Sequence, residues 1–242
     1  MNGMNARVVA AEIVGTFILV GFGSLSVISA GATSLPAPLV VPFGFGLALL
    51  AGIVIFGHVS GAHFNPAVTL AALFDGRIGL TGAIAYMVSQ VIGALLGSLG
   101  VLALFGKDLV DATRNSPASA INDVQAFGVE AILTAVFIAV ILTVTAREQK
   151  QAVFVIPLTL VMIHFVAIPI TGASVNPARS LAPAIVSANY EHLWVYLSAP
   201  FLGALIGWGL YRVMGVFDEP TGDFAQGDRG FEEALVDDEG NL

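Results

Sequence analysis

Apolar residues fill the chain in long blocks, and isolated charges mark the gaps between them. From Ile13 to Phe74 no Asp, Glu, Lys or Arg occurs, and nearly uncharged stretches follow over 78–106, 124–146, 151–178 and 192–211. Crossing a hydrocarbon core as a helix takes about 20 predominantly apolar residues. The pattern therefore predicts six spans, near 6–30, 37–57, 79–105, 124–146, 152–170 and 193–216. The first uncharged block is long enough for two of these plus a shorter apolar helix. It is not read as a signal peptide, because Glu12 interrupts its apolar region and the pattern runs past the usual cleavage distance.

Composition agrees with a membrane location. Hydrophobic residues make up 57% of the chain and charged ones 11%, against about a quarter charged in soluble domains. Cysteine is absent, which removes disulfides, thiolate metal sites and cysteine nucleophiles together. The net charge of -8 is local: residues 1–217 hold eight acids and eight bases, whereas 218–242 hold nine acids and Arg229 alone. That tail is polar and acidic, buries too little apolar surface to order itself, and is expected to be disordered. With a cytoplasmic amino terminus, inner loops carry Arg7, Arg77, Arg147, Lys150 and Arg212, against Lys107 and Arg114 outside. This bias follows the positive-inside tendency and puts both termini in the cytoplasm.

An internal repeat organises the spans. Glu12 matches Glu130 at an offset of 118, Asn65 matches Asn176 at 111, and Gly93/Gly97 match Gly203/Gly207 at 110. Repeat one runs over about 6–105 and repeat two over about 121–216, inside a channel domain of 1–217. Three spans per half is an odd number, so the second half inserts upside down relative to the first. The glycine pairs suit close packing of helices and are expected to hold the two halves together.

Two segments carry the chemistry, SGAHFNPAVTLAALF over 60–74 and TGASVNPARSLAPAIV over 171–186. In each, small residues precede an Asn that caps a helix and a Pro suited to its first turn. About ten residues at 1.5 Å per residue span only about half of a 30 Å core. Such half-helices cannot expose their extended lead-in to lipid, so these stretches are expected inside protein or along a polar cavity. In an inverted repeat they enter from opposite sides and their amino ends meet near the midplane. Their dipoles then oppose cations and hydronium. Asn65 and Asn176 would offer amide donors to a passing oxygen, and the carbonyls of Gly61, Ala62, His63, Gly172, Ala173 and Ser174 a line of acceptors.

The paired tripeptides Asn65-Pro66-Ala67 and Asn176-Pro177-Ala178, in matching halves of a repeat, resemble those of the aquaporin, or major intrinsic protein, family over residues 6–216. The resemblance implies an all-α membrane fold of six transmembrane helices plus two re-entrant half-helices. It implies a passive channel in the cell membrane, water as permeant, a homotetramer, no enzymatic activity, no cofactor and no nucleic-acid partner. By motif spacing it places a selectivity filter at Phe45, His164, Ala173 and Arg179. The predicted topology agrees independently. Phe45 lies about eight residues, or ~12 Å, inside the outer end of span two, and His164 about six residues, or ~9 Å, inside that of span five.

Phe45 and His164 would narrow the aperture to water, while Arg179 donates hydrogen bonds and repels cations. Glycerol-conducting relatives carry Trp and Gly at those first two positions, an aromatic at that of Ala173, and Asp and a basic residue where this chain has Ser180 and Ala184. Ala173 departs from the Cys or Thr common in water channels and widens the aperture slightly. Small neutral solutes such as ammonia and hydrogen peroxide therefore stay open as permeants, and glycerol is the alternative that Phe45 with His164, rather than Trp with Gly, weighs against.

Glu12 and Glu130 are costly in lipid, which makes a proton relay or an ion-coupled transporter the competing reading. Their position as repeat mates beside the loops favours structural support, each carboxylate accepting hydrogen bonds from non-helical backbone. His58 and His63 do not stack on one helical face, and the sequence has no HExxH pattern, so no metal site is expected.

Overall fold

A computed structural model describes residues 6–33, 36–147 and 149–215, without the side chain of Gln149. The acidic tail and its expected disorder lie outside the described residues, as does the boundary at 217. The described residues form nine helices: α1 (Ala6–Ala32), α2 (Ala37–Ser60), α3 (Pro66–Phe74), α4 (Leu80–Phe105), α5 (Lys107–Asp111), α6 (Asp123–Arg147), α7 (Gln149–Thr171), α8 (Pro177–Ser187) and α9 (Leu193–Val213). Six of them are long and apolar enough to cross a membrane, at the places where the hydropathy blocks put spans. The second block continues three residues further than the pattern indicated. Nothing in Gly57-His58-Val59 breaks a helix, and α2 ends only where Gly61 takes the left-handed conformation (φ 81°) and donates its N–H to Gly57 O.

The outward faces of the long helices carry Phe22, Leu47, Val54, Ile84, Leu104, Phe154 and Leu158, all exposed. On a water-soluble monomer such contiguous apolar surface would drive association. Against lipid tails it carries no penalty, because helix association there is driven by packing instead. The interior shows that packing at its glycines. Gly15 and Gly52 sit against the ring of Phe64, and Gly23 sits against that of Phe45.

The repeat is visible in the contacts. Helix α1 packs on α2 and α4, and α6 packs on α7 and α9 in the same way. The glycine pairs belong to this intra-half packing, which corrects their expected role between halves. A Cβ on Gly93 would strike the Ile13 carbonyl, and one on Gly203 the Ala131 carbonyl. Gly97 abuts Phe17 O, and Gly207 abuts Ala135 O. Ile13 and Ala131, like Phe17 and Ala135, are mates at the 118-residue offset that relates Glu12 to Glu130. Small residues thus let the third span of each half lie directly on the backbone of its first.

The halves are joined elsewhere. Helix α2 meets α7, and each half-helix crosses to the other half's last span, α3 to α9 and α8 to α4. Each re-entrant helix is therefore wedged between halves, which fixes its amino end at the centre.

Candidate functional site

The backbone leading into each half-helix follows one unusual path twice. Gly61 and Gly172 have φ of 81° and 77°, and Ala62, Phe64, Ala173 and Val175 hold φ between 45° and 54°. Left-handed non-glycine residues cost roughly 1–3 kcal/mol each and persist only where their surroundings over-determine them. Two buried carboxylates provide that constraint. Glu12 Oε1 accepts from Ser60 Oγ (2.6 Å) and His63 N (3.1 Å), and its Oε2 from Phe64 N (2.9 Å) and Gln90 Nε2 (2.7 Å). Glu130 Oε1 accepts from Thr171 Oγ1 (2.6 Å) and Ser174 N (2.9 Å), and its Oε2 from Val175 N (2.8 Å). With amides turned to the carboxylate, neither loop leaves these donors unpaired in the apolar interior.

Asn65 and Asn176 cap α3 and α8 through Oδ1, which accepts from Ala67 N (2.9 Å) and from Ala178 N (3.0 Å) and Arg179 N (3.3 Å) respectively. Their amide nitrogens cross the midplane. Asn65 Nδ2 donates to Val175 O (2.8 Å) and Asn176 Nδ2 to Phe64 O (2.9 Å). Each carboxamide thus holds the opposite loop with one N–H and keeps its second for the cavity, which both residues line. Motif reading had assigned the amides wholly to a permeant and did not see this reciprocal pair. Pro66 and Pro177 open the half-helices, and Ala67 and Ala178, both buried, lie behind them.

Phe45, His164 and Arg179 meet although they are far apart in sequence. The Phe45 and His164 rings stack with centroids 4.7 Å apart and planes 30° apart. The Arg179 guanidinium carbon lies 4.9 Å from the centre of the Phe45 ring, a cation–π geometry. Arg179 is 5% exposed, so its charge is tied inside protein, with Nη1 donating to Thr113 O at 2.9 Å. His164 Nδ1 is 2.9 Å from Leu160 O, which can only accept, so Nδ1 carries the proton and Nε2 is an acceptor. Neither His164 Nε2 nor Arg179 Nε has a protein partner among the described residues. Ala173 is fully buried, one residue after Gly172 and six before Arg179.

A cavity of about 710 Å³ runs along these groups. Leu49, Ile53, Phe137, Ile141 and Ile156 make its walls apolar, and Asn65, Asn176, His164 and Arg179 add polar points along it. Of the six loop residues expected to supply carbonyls, Gly61, Ala62, His63 and Ser174 border this cavity. Gly172 and Ala173 are not among its walls, and Gly172 O accepts from Asn115 Nδ2 at 2.8 Å. His58 also borders the cavity, and no group of three or more potential metal ligands occurs among the described residues.

The chain matches the family model described as major intrinsic protein over residues 2–211. It belongs to the major intrinsic protein family. Within that family it is 40% identical over 215 residues to a protein named glycerol uptake facilitator protein-like 6 of Lactiplantibacillus plantarum, covering 86% of this chain and 98% of the relative. It is also 40% identical over 225 residues to an Aquaporin Z of Photorhabdus laumondii, covering 86% and 97%. Among solved structures it resembles the aquaglyceroporin from Plasmodium falciparum, with a TM-score of 0.79, 26% identity and coverage of 88% and 98%. Family membership makes it a multi-pass, non-enzymatic channel for water or small solutes with the aquaporin fold.

Sequence reading missed several residues of this major intrinsic protein site. Ser60 and Thr171, which donate to the two glutamates, are mates at the Asn offset of 111 and were legible as such. Gln90 had a signal too, as the single carboxamide in a membrane-spanning helix without charged residues. Thr113 acts through its carbonyl, which no side-chain pattern announces.

Proposed function

We propose that the chain is a water channel, passing water single file and excluding protons and ions. The convergence of Phe45, His164 and Arg179 on one short stretch of the cavity carries this reading. An apolar ring, an imidazole acceptor and a guanidinium leave room and hydrogen bonds for a molecule the size of water. A polyol would have to displace the stacked rings. Phe45, His164 and Arg179 act as the selectivity filter, while Ala173, expected as its fourth member, is buried and stands back from the cavity wall. The loop carbonyls of residues 61–63 and of Ser174, which border the cavity, serve as acceptors, whereas Gly172 O is taken by Asn115.

Proton exclusion follows from the midplane. There the second N–H of Asn65 and Asn176 donates to a permeating oxygen and orients it, so its neighbours cannot relay a proton past it. The amino ends of α3 and α8 add positive potential at the same point. Arg179 keeps further cations out. Glu12 and Glu130 act as structural supports, since their oxygens are engaged by the loops rather than by the cavity. The protein works as a homotetramer in the cell membrane with both termini cytoplasmic.

A glycerol facilitator is the second reading, favoured by the small side chain of Ala173 and by the name of the Lactiplantibacillus relative. Phe45 and His164 in contact weigh against it. Reconstitution with an entrapped pH dye tests the water reading. Under a sucrose gradient the vesicles should shrink several-fold faster than empty ones without acidifying under an imposed proton gradient. Shrinkage at the bare-lipid rate, or rapid acidification, would overturn it.

A further inference from the structure

The two repeats support their loops differently at one point. In the first half, Gln90 of α4 donates to Glu12 Oε2 at 2.7 Å and to Thr69 Oγ1 at 2.9 Å, linking the carboxylate to the half-helix. The mate of Gln90 at the glycine offset of 110 is Pro200, which has no side-chain donor. The mate of Thr69 at the Asn offset of 111 is Ser180. Ser180 therefore needs another partner, and finds it outside the repeat. Its hydroxyl donates to Asn115 Oδ1 at 2.7 Å.

Asn115 lies in the segment connecting the halves and is 3% exposed. Its Nδ2 faces Gly172 O, which can only accept, so the carboxamide orientation is fixed and Oδ1 points to Ser180. Because Ser180 uses its proton on Asn115, Ser174 Oγ, 2.5 Å away, donates to Ser180. Asn115 consequently holds Gly172 directly and Ser174 through Ser180, gripping Ala173 from both sides. A side chain on Gly172 would press on the Cα and Nδ2 of Asn115, so the backbone contact is close. Two residues earlier, Thr113 O takes the Arg179 guanidinium, and Ala118 N ties the same segment to Ile170 O at 2.8 Å.

We propose that Asn115 is a specificity-determining positioning residue, which stands in for the missing glutamine of the second repeat and sets the position of the loop over 172–174, whose Ser174 borders the cavity. The proposal rests on the filter reading above and assigns the width of its 172–174 side to a residue of the connecting segment. The loss of one buried hydrogen bond shifts a positional equilibrium by about fivefold. Without Asn115, Gly172 O loses its partner and Ser174 keeps only its bonds to Glu130 and Asn176, so the loop shifts and the aperture yields to larger neutral solutes.

The test compares glycerol and water permeability in proteoliposomes for wild type, Asn115→Ala, Asn115→Asp, Ser180→Ala and Ser180→Thr. Asn115→Asp keeps the acceptor for Ser180 but sets a carboxylate against Gly172 O. The glycerol-to-water ratio is expected to rise about fivefold in Asn115→Ala. It should rise less in Ser180→Ala, which cuts one arm, and stay at the wild-type value in Ser180→Thr. A purely structural role would lower both permeabilities together and leave the ratio fixed, and that result overturns the proposal. If Asn115→Ala fails to insert, an unchanged ratio in both Asn115→Asp and Ser180→Ala overturns it equally. A wild-type protein that passes no water defeats the filter reading itself, a separate outcome seen before any variant is made.

Discussion

At the residue scale, the glutamates and the filter ask different things of their surroundings. Glu130 takes three hydrogen bonds while fully buried, two of them from backbone amides in a strained loop. Replacing it with Ala strands those donors, and each unsatisfied buried donor costs about 1–3 kcal/mol. Glu130→Ala should therefore lower the melting temperature in detergent markedly or prevent folding, and a wild-type melting temperature would contradict the supporting role. The filter residues should instead exchange specificity for little stability. Phe45→Trp with His164→Gly breaks the ring stack seen at 4.7 Å and opens the aperture. Glycerol flux is expected to rise, and an unchanged flux in a folded variant would show that the aperture lies elsewhere.

Elements are positioned by small residues that bring backbones together. A side chain on Gly203 would meet the Ala131 carbonyl of α6, whereas one on Gly100 or Gly209 would meet nothing within 4 Å. Gly203→Val should destabilise by about 1–3 kcal/mol, as overpacking does, while Gly209→Ala is neutral or mildly stabilising in a helix interior. Thermal unfolding in detergent separates the two.

The connecting segment is held by charge. Asp111 receives a 2.7 Å hydrogen bond from Arg114 Nε and a 3.0 Å bond from Asn189 Nδ2. The Arg114 bond holds its carboxyl below the ordinary value of 3.8. A depressed carboxylate stabilises in full above that value and loses its contribution as pH falls below it. The protection of amides 111–115, taken relative to intrinsic exchange at each pH, should consequently fall as pH drops below 3.8, and that fall should vanish in Asp111→Asn.

For the whole molecule, much of the architecture is legible in the sequence. Hydropathy blocks are set by the lipid thickness, so all six spans stood out by length, and Asn-Pro announced both half-helices by cap chemistry. Two features resisted for a physical reason. The partners of Gly93 and Gly203 are main-chain carbonyls on another helix, and sequence pattern carries no information on which helix a glycine faces. The reciprocal Asn65 and Asn176 bonds depend on loops that meet only after both halves have packed. Conversely, the offset of 111 holds from Ser60 through Thr69 because each half must build the same re-entrant path, whereas Gln90 has no glutamine mate because the connecting segment does that work in the second half.

The central claim is that one constriction of Phe45, His164 and Arg179 admits water and rejects polyols. It is tested most directly by stopped-flow light scattering on one preparation of proteoliposomes, first under a sucrose gradient and then under a glycerol gradient. The account predicts fast, weakly temperature-dependent shrinkage in sucrose, followed in glycerol by re-swelling no faster than in protein-free vesicles. Glycerol re-swelling at a rate comparable to the water phase would contradict it.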